Sequence, residues 1–233
     1  MPPLYLHLLP MPVLGLGLYL GYIDGLGAAC AFCYLAWVFR GEALLPRWLW
    51  WSGGLLGGIA LAAHLLPGFQ PMLLWSARQL SSDAPPFALR LSWDKLLLGL
   101  ILLAWWLSRA RPLAQHGGLA ALIGVATLLL VPLLAMALGV VGWQPKWPHQ
   151  LWLWLAVNLG VAVLAEELLF RAWLQPVLVA RLGVARGVAL TALLFGAAHL
   201  PFSPLFALVA GVAGLGYGLV FHLSGRLWPA LLL

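Results

Sequence analysis

Glu166 and Glu167 stand side by side in the stretch LWLWLAVNLGVAVLAEELLFRAWLQ, and Arg171 follows four residues after the second of them. Almost everything around them is apolar. A charged side chain at the centre of a membrane span costs ~2.5–3.5 kcal/mol on insertion scales, so an ionisable cluster in such a run marks a functional site by default. On a regular α-helix Glu167 and Arg171 share one face and can pair. Glu166 then points ~100° away from Glu167, because a turn takes 3.6 residues. One carboxylate is neutralised along its own helix while the other faces a neighbouring helix, an inequality that can divide acid and base roles between two carboxylates. A carboxylate in a low-dielectric site is a competent general base for a water molecule. His199 ends the next apolar run, TALLFGAAHL, four residues after Phe195. Glu166 precedes Pro176 by about 15 Å of helix and His199 follows Gly187 by about 18 Å. Both flanks belong to the 176–187 connection, so the two groups are expected at similar depth near the bilayer middle. A Glu-activated water, with a His to stabilise an oxyanion or protonate a leaving amine, makes a hydrolytic site.

The elements that position these groups must be membrane helices. The chain has 233 residues, of which 64% are hydrophobic and 8% charged. Soluble domains carry about 25% charged residues. So few charges cannot clothe a soluble surface, which excludes a soluble globular enzyme, a disordered chain and a nucleic-acid binder. The formal charge of +6 is read as cytoplasmic-side anchoring. Two cysteines build no disulfide framework. The N-terminus has no basic segment ahead of its apolar run, so it does not read as a signal peptide and the first span is expected to be retained.

Breaks at Arg, Pro and Gly clusters predict an all-α fold, a polytopic transmembrane helical bundle of about 7–8 spans. The spans fall near 13–39, 48–66, 95–108, 119–141, 151–175, 188–200 and 204–223, with a truncated last one beginning near Leu227. One side collects Arg40, Arg47, Arg109, Arg111, Arg181, Arg186 and Arg226; the other collects Arg78, Arg90, Lys95 and Lys146, with Asp83 and Asp94 nearby. The positive-inside rule then puts the N-terminus outside. Trp48, Trp50 and Trp51, and Trp143, Trp147, Trp152 and Trp154, are expected at the headgroup level. The segment 67–94 reads as an external loop with a short interfacial helix.

Other polar residues have plainer readings. Asp24 belongs near the outer interface. His7, His64, His116 and His149 lie at predicted borders and are expected to be solvated. Cys30 and Cys33 are small packing residues of the first span. Asn158, two turns before Glu166, hydrogen-bonds across helices or supports the substrate site, as does Phe195. The Gly53–Gly57 and Gly54–Gly58 spacings suit a close helix contact. The charged cluster itself could be a structural ion network. Neither a His-Glu-x-x-His zinc motif nor a Gly-x-Ser-x-Gly elbow occurs. An aspartyl dyad lacks its second membrane Asp.

The pair Glu-Glu-x-x-x-Arg (Glu166, Glu167, Arg171) and Phe-x-x-x-His (Phe195, His199) resembles the CPBP family. These are the CAAX prenyl endopeptidases and bacteriocin-processing enzymes, also called ABI proteins. The trailing Gly-Arg-Leu-Trp-Pro-Ala-Leu-Leu-Leu fits too, and the likeness covers about 160–233. It implies an intramembrane glutamic endopeptidase in which Glu166 activates the water, Glu167 and Arg171 support it, and His199 helps bind the oxyanion. No cofactor is implied; a divalent metal on Glu166, Glu167 and His199 is a minor alternative. The family's third motif, His-x-x-x-Asn, is expected just after Trp228-Pro229, where this sequence reads Ala230 to Leu233. His222 is not a convincing substitute.

The chain is thus expected to be one integral membrane domain, with a core of about 150–233 and accessory spans over 13–141. The expected partners are the bilayer and a membrane-anchored or lipidated protein or peptide substrate, cut near its C-terminus, and no nucleic acid. Some bacterial relatives resemble processors of C-terminal sorting tails, so a bacterial inner membrane is the expected location. The competing expectation is a non-catalytic protein of the same fold, a bacteriocin-immunity or scaffold factor, favoured if the third motif is truly absent.

Overall fold

Asp24 splits the first predicted span in two. Its carboxylate accepts from the backbone N–H groups of Leu26 and Gly27 at 2.8 and 2.9 Å, which satisfies donors that a helix start leaves unpaired. Helix α2 (Met11–Tyr19) therefore stops before it, and α3 (Gly25–Leu44) starts after it. The carboxylate expected at an interface is a helix cap. The computed structural model describes residues 4–80, 86–109, 116–145, 147 and 150–233. Pro2, Pro3, Asp83, Arg111, Lys146 and His149 lie outside the described residues.

The chain opens with the single turn α1 (Leu4–His7) and, after α2 and α3, continues into α4 (Arg47–Ala62). Next come the strands β1 (Met72–Arg78) and β2 (Phe87–Leu91), paired antiparallel with Met72 opposite Leu91. The 67–94 segment is thus a β-hairpin, not a loop with an interfacial helix, and the fold departs from all-α there. Trp75 and Leu89, partners in the register, are both buried. The aromatics Trp75 and Phe87 among aliphatic neighbours, with Trp75 opposite Leu89 in the register, favour pleated pairing over a helical stripe.

Helices α5 (Trp93–Leu107) and α6 (Gly117–Ala137) follow, then the long α7 (Leu151–Leu182), α8 (Val184–Ala197), α9 (Pro204–Ser224) and the short α10 (Trp228–Leu231). Among the described residues three helices, α6, α7 and α9, are long and apolar enough to cross a membrane. The 16 and 15 residues of α4 and α5 give only about 24 and 22 Å of helix against a hydrocarbon core of about 30 Å. Shorter apolar helices lie at Tyr5–Tyr19 and Val184–Ala197. The protein is an integral membrane protein, mostly helical.

Contacts gather into two compact units. The first comprises Met1–Ala110 and Lys146–Leu169, the second Arg111–Pro145 and Phe170–Leu233. In the first, Leu14, Ile23, Ala28, Ala31, Trp93 and Leu97 form a core shared by α2, α3 and α5. The glycine spacings of α4 seat rings of α3. A Cβ at Gly53 would collide with the Trp37 ring and one at Gly57 with the Tyr34 ring, and the Tyr34 hydroxyl donates to Gly54 O at 3.0 Å. Trp50, expected at the headgroup level, is buried between these helices; its Nε1 donates to the carbonyls of Trp37 and Val38. Trp48 is exposed. In the second unit α9 packs on both α6 and α8. Gly196 lets α8 approach α9 closely, since a Cβ there would lie 2.8 Å from Ala207 O. Small residues at such crossings are the usual means of helix association in lipid. Gly183, at φ 81°, makes the turn from α7 into α8.

Candidate active site

Helix α7 carries the first motif and is not a regular α-helix. Two π-helical segments, Asn158–Val163 and Leu168–Leu174, bracket the α-helical turn Leu164–Glu167. π segments are rare and recur at functional sites. The 100° step expected between Glu166 and Glu167 lies within the α-helical turn Leu164–Glu167, whereas the shared face expected for Glu167 and Arg171 assumed 3.6 residues per turn, and Arg171 lies within the second π segment, where bonding runs i→i+5. Asn158 opens the first π segment, and its Nδ2 donates to Trp154 O at 2.9 Å along its own helix. A side chain that bonds the preceding turn competes with the backbone there and bends helices.

The two carboxylates have different surroundings in the first unit. Glu167 is 2% exposed. Glu166 keeps 27% of its side chain exposed, and its Oε1 lies 3.6 Å from Lys95 Nζ on α5. Gly99, one turn after Lys95, lies beside Leu164 and Ala165. Helix α5 therefore reaches the Glu166 turn along one face, with Lys95 and Gly99 at helical spacing. Lys95, expected among the outer-side loop charges, is instead taken up by Glu166.

A second polar pair, His64 with Asp94, lies in the same unit. Asp94, 3% exposed, has its Oδ2 2.7 Å from His64 Nδ1, and its Oδ1 accepts from Lys95 N at 2.8 Å. His64 was expected to be solvated; it is half-exposed and held by this carboxylate. It also adopts φ 59°, a left-handed conformation uncommon outside glycine.

The second unit holds Arg171, Phe195 and His199. Arg171 is fully buried. Its guanidinium carbon stands 4.3 Å over the Phe195 ring, 5.3 Å over Tyr217 and 5.9 Å over Phe170. Three ring faces around a planar cation are a favourable electrostatic arrangement. Phe195 also packs against His199, with ring centroids 4.8 Å apart. The His199 Nδ1 lies 2.8 Å from Phe195 O. A carbonyl oxygen only accepts, so Nδ1 carries the hydrogen, and Nε2 is the acceptor of the neutral ring. Nε2 donates only in the imidazolium. Phe202 and Phe206 flank the same ring at 6.1 and 5.5 Å between centroids.

The motif residues thus fall into two sets. Glu166 and Glu167 belong to the first unit, with Lys95; Arg171, Phe195 and His199 belong to the second, with Tyr217. Neither Lys95 nor Tyr217 carries a motif in the sequence. The signal for Lys95 was a cation at the very start of an apolar run; Tyr217 had no signal beyond being a lone phenol in a glycine-rich helix. Among the described residues no three His, Cys, Asp or Glu side chains gather as metal ligands, and Cys30 and Cys33 are free thiols.

No curated protein and no solved structure matches the chain. A family model, that of the type II CAAX prenyl endopeptidases called Rce1-like, matches residues 147–233, a stretch that contains both motifs. By this match the C-terminal segment of this membrane protein is similar to the Rce1-like type II CAAX prenyl endopeptidases, a family of proteases, in agreement with the resemblance its two motifs carry.

Proposed function

We propose that the chain is an intramembrane glutamic endopeptidase, which hydrolyses a peptide bond near the C-terminus of a membrane-anchored or lipidated protein. The observation that carries this reading is the contrast between adjacent carboxylates inside the family-matched segment. Glu166 keeps part of its side chain exposed, whereas Glu167 is sealed. In this reading Glu166 takes a proton from water as its oxygen attacks the scissile carbonyl carbon. The carbonyl electron pair becomes the oxyanion; on collapse the C–N bond breaks and the proton passes to the departing amine. His199 serves as the imidazolium, because its Nδ1 hydrogen is already committed to Phe195 O and only a second proton lets Nε2 donate to the oxyanion. Glu167 and Arg171 hold the helix turn that aims Glu166. The fold is read as a 7–8 span bundle in a bacterial inner membrane with its N-terminus outside, supported by the distribution of basic residues.

The test is hydrolysis of a farnesylated peptide with a C-terminal CAAX sequence by the full chain in lipid nanodiscs. Glu166→Gln is expected to lower kcat by about 10²–10⁴-fold, with thermal unfolding unchanged. A Glu166→Gln protein that cleaves at the wild-type rate, or a wild type that leaves the peptide intact, overturns the reading and favours a non-catalytic protein of this fold.

A further inference from the structure

Lys95 is in the wrong place for helix α5. It occupies the first turn, directly after Trp93 and Asp94, where the helix dipole favours anions and disfavours a cation. Nor is it a loose surface lysine, since its side chain is only 21% exposed. Its position is explained by what it faces. Its ammonium lies 3.6 Å from Glu166 Oε1, and among the described residues it is the one cation recorded within ion-pair distance of that carboxylate.

The surrounding packing leaves the ammonium little freedom. Gly99, four residues on, lies beside the backbone of Ala165, the residue before Glu166. Leu98 and Leu102 are fully buried. On the other side the start of α5 is pinned by Asp94, which is held by His64 Nδ1 and by the Lys95 amide. Trp93 is buried in the α2–α3 core. The base of the lysine is thus fixed from two directions, and only its chain of methylenes sets where the ammonium falls. At 3.6 Å the contact is an ion pair without a short hydrogen bond, so the Glu166 oxygens keep their capacity to accept from water.

We propose that Lys95 is a positioning residue for Glu166. Its ammonium fixes the carboxylate's rotamer and keeps it facing the reacting water, and it does not itself touch the substrate. The proposal rests on the reading of Glu166 as the base. A shift of the base by one ångström can cost about 100-fold in rate, so a lost anchor shows in kcat and not in substrate binding.

The experiment compares Lys95→Met, which keeps an unbranched side chain one atom shorter and removes the charge, with Lys95→Arg, which keeps the charge. Both are assayed on the farnesylated CAAX peptide with the full chain in nanodiscs, beside wild type and Glu166→Gln. Lys95→Met is expected to lower kcat by about 10- to 100-fold with KM within about twofold. Lys95→Arg is expected to recover most of the rate, and Lys95→Met is expected to add nothing in the Glu166→Gln background. A wild-type kcat for Lys95→Met overturns the proposal, as does a loss that appears in KM or that Lys95→Arg fails to restore. If neither variant yields folded protein by thermal unfolding, Lys95 belongs to the architecture and the proposal falls. An inert Glu166→Gln with an unaffected Lys95→Met defeats this proposal alone; a fully active Glu166→Gln, or an inactive wild type, defeats the functional reading and this proposal with it.

Discussion

In the first unit, carboxylates meet basic side chains: Lys95 faces Glu166, His64 faces Asp94, and Arg109 bonds Glu42. In the second, Arg171 is faced by the rings of Phe170, Phe195 and Tyr217, and His199 by a backbone carbonyl and more rings. Both arrangements keep charge or polarity in an apolar matrix. They differ in what they demand of geometry. An ion pair concentrates its attraction between two atoms and weakens as solvent screens it. A ring cage spreads it over several faces and buries a large apolar area at the same time. The ion pairs of the first unit accordingly retain some exposure, while the caged guanidinium retains none. A partly open carboxylate is what a reaction with water requires, and a sealed cation is what a rigid scaffold requires.

Three substitutions test that contrast through unfolding in detergent micelles. Phe195→Ala removes the ring closest to Arg171 and the packing against His199, and is expected to cost roughly 3–5 kcal/mol, the range for a buried Phe truncation. A loss below about 1 kcal/mol would mean that the cage contributes little. Asp94→Asn keeps the shape but removes the charge from a buried partner of His64 and of the Lys95 amide. Hydrogen bonds to charged groups contribute roughly 1.5–3 kcal/mol, and the half-exposed His64 places the expected loss at the low end. An Asp94→Asn protein as stable as wild type would show that the start of α5 is held by apolar packing alone. Glu42→Gln breaks the most exposed pair and is expected to cost less than about 1 kcal/mol, vanishing at high salt. A larger loss that persists in salt would contradict the ranking of the ion pairs by burial.

The extents of the apolar helices were legible because membrane segments declare themselves by composition. Helix α6 begins at Gly117 and α9 runs Pro204–Ser224, within a few residues of the breaks read from the sequence. The first span was misjudged because Asp24 looked like an isolated charge in an apolar run, when its short carboxylate caps a helix and lets the chain turn. The 67–94 segment was misjudged because its prolines and mixed polarity mask a hairpin whose buried residues, Trp75 and Leu89, are defined only by pairing across strands. Trp50 shows the same limit: an indole near a span start reads as a headgroup anchor until a partner helix offers carbonyls to its Nε1.

The sequence by itself determined that this is a membrane protein, which residues carry the costly charges, and which family those residues resemble. Each of these follows from residue type and short spacing, because burying a carboxylate in lipid is expensive wherever the rest of the chain lies. Only the tertiary structure decided which carboxylate is sealed and which is open, that Lys95 belongs to Glu166, and that π-helical turns bracket the pair. Those outcomes depend on groups distant in sequence, such as α5 lying against α7 through Gly99, and on a helix geometry whose departure from 3.6 residues per turn has no simple signature in residue order.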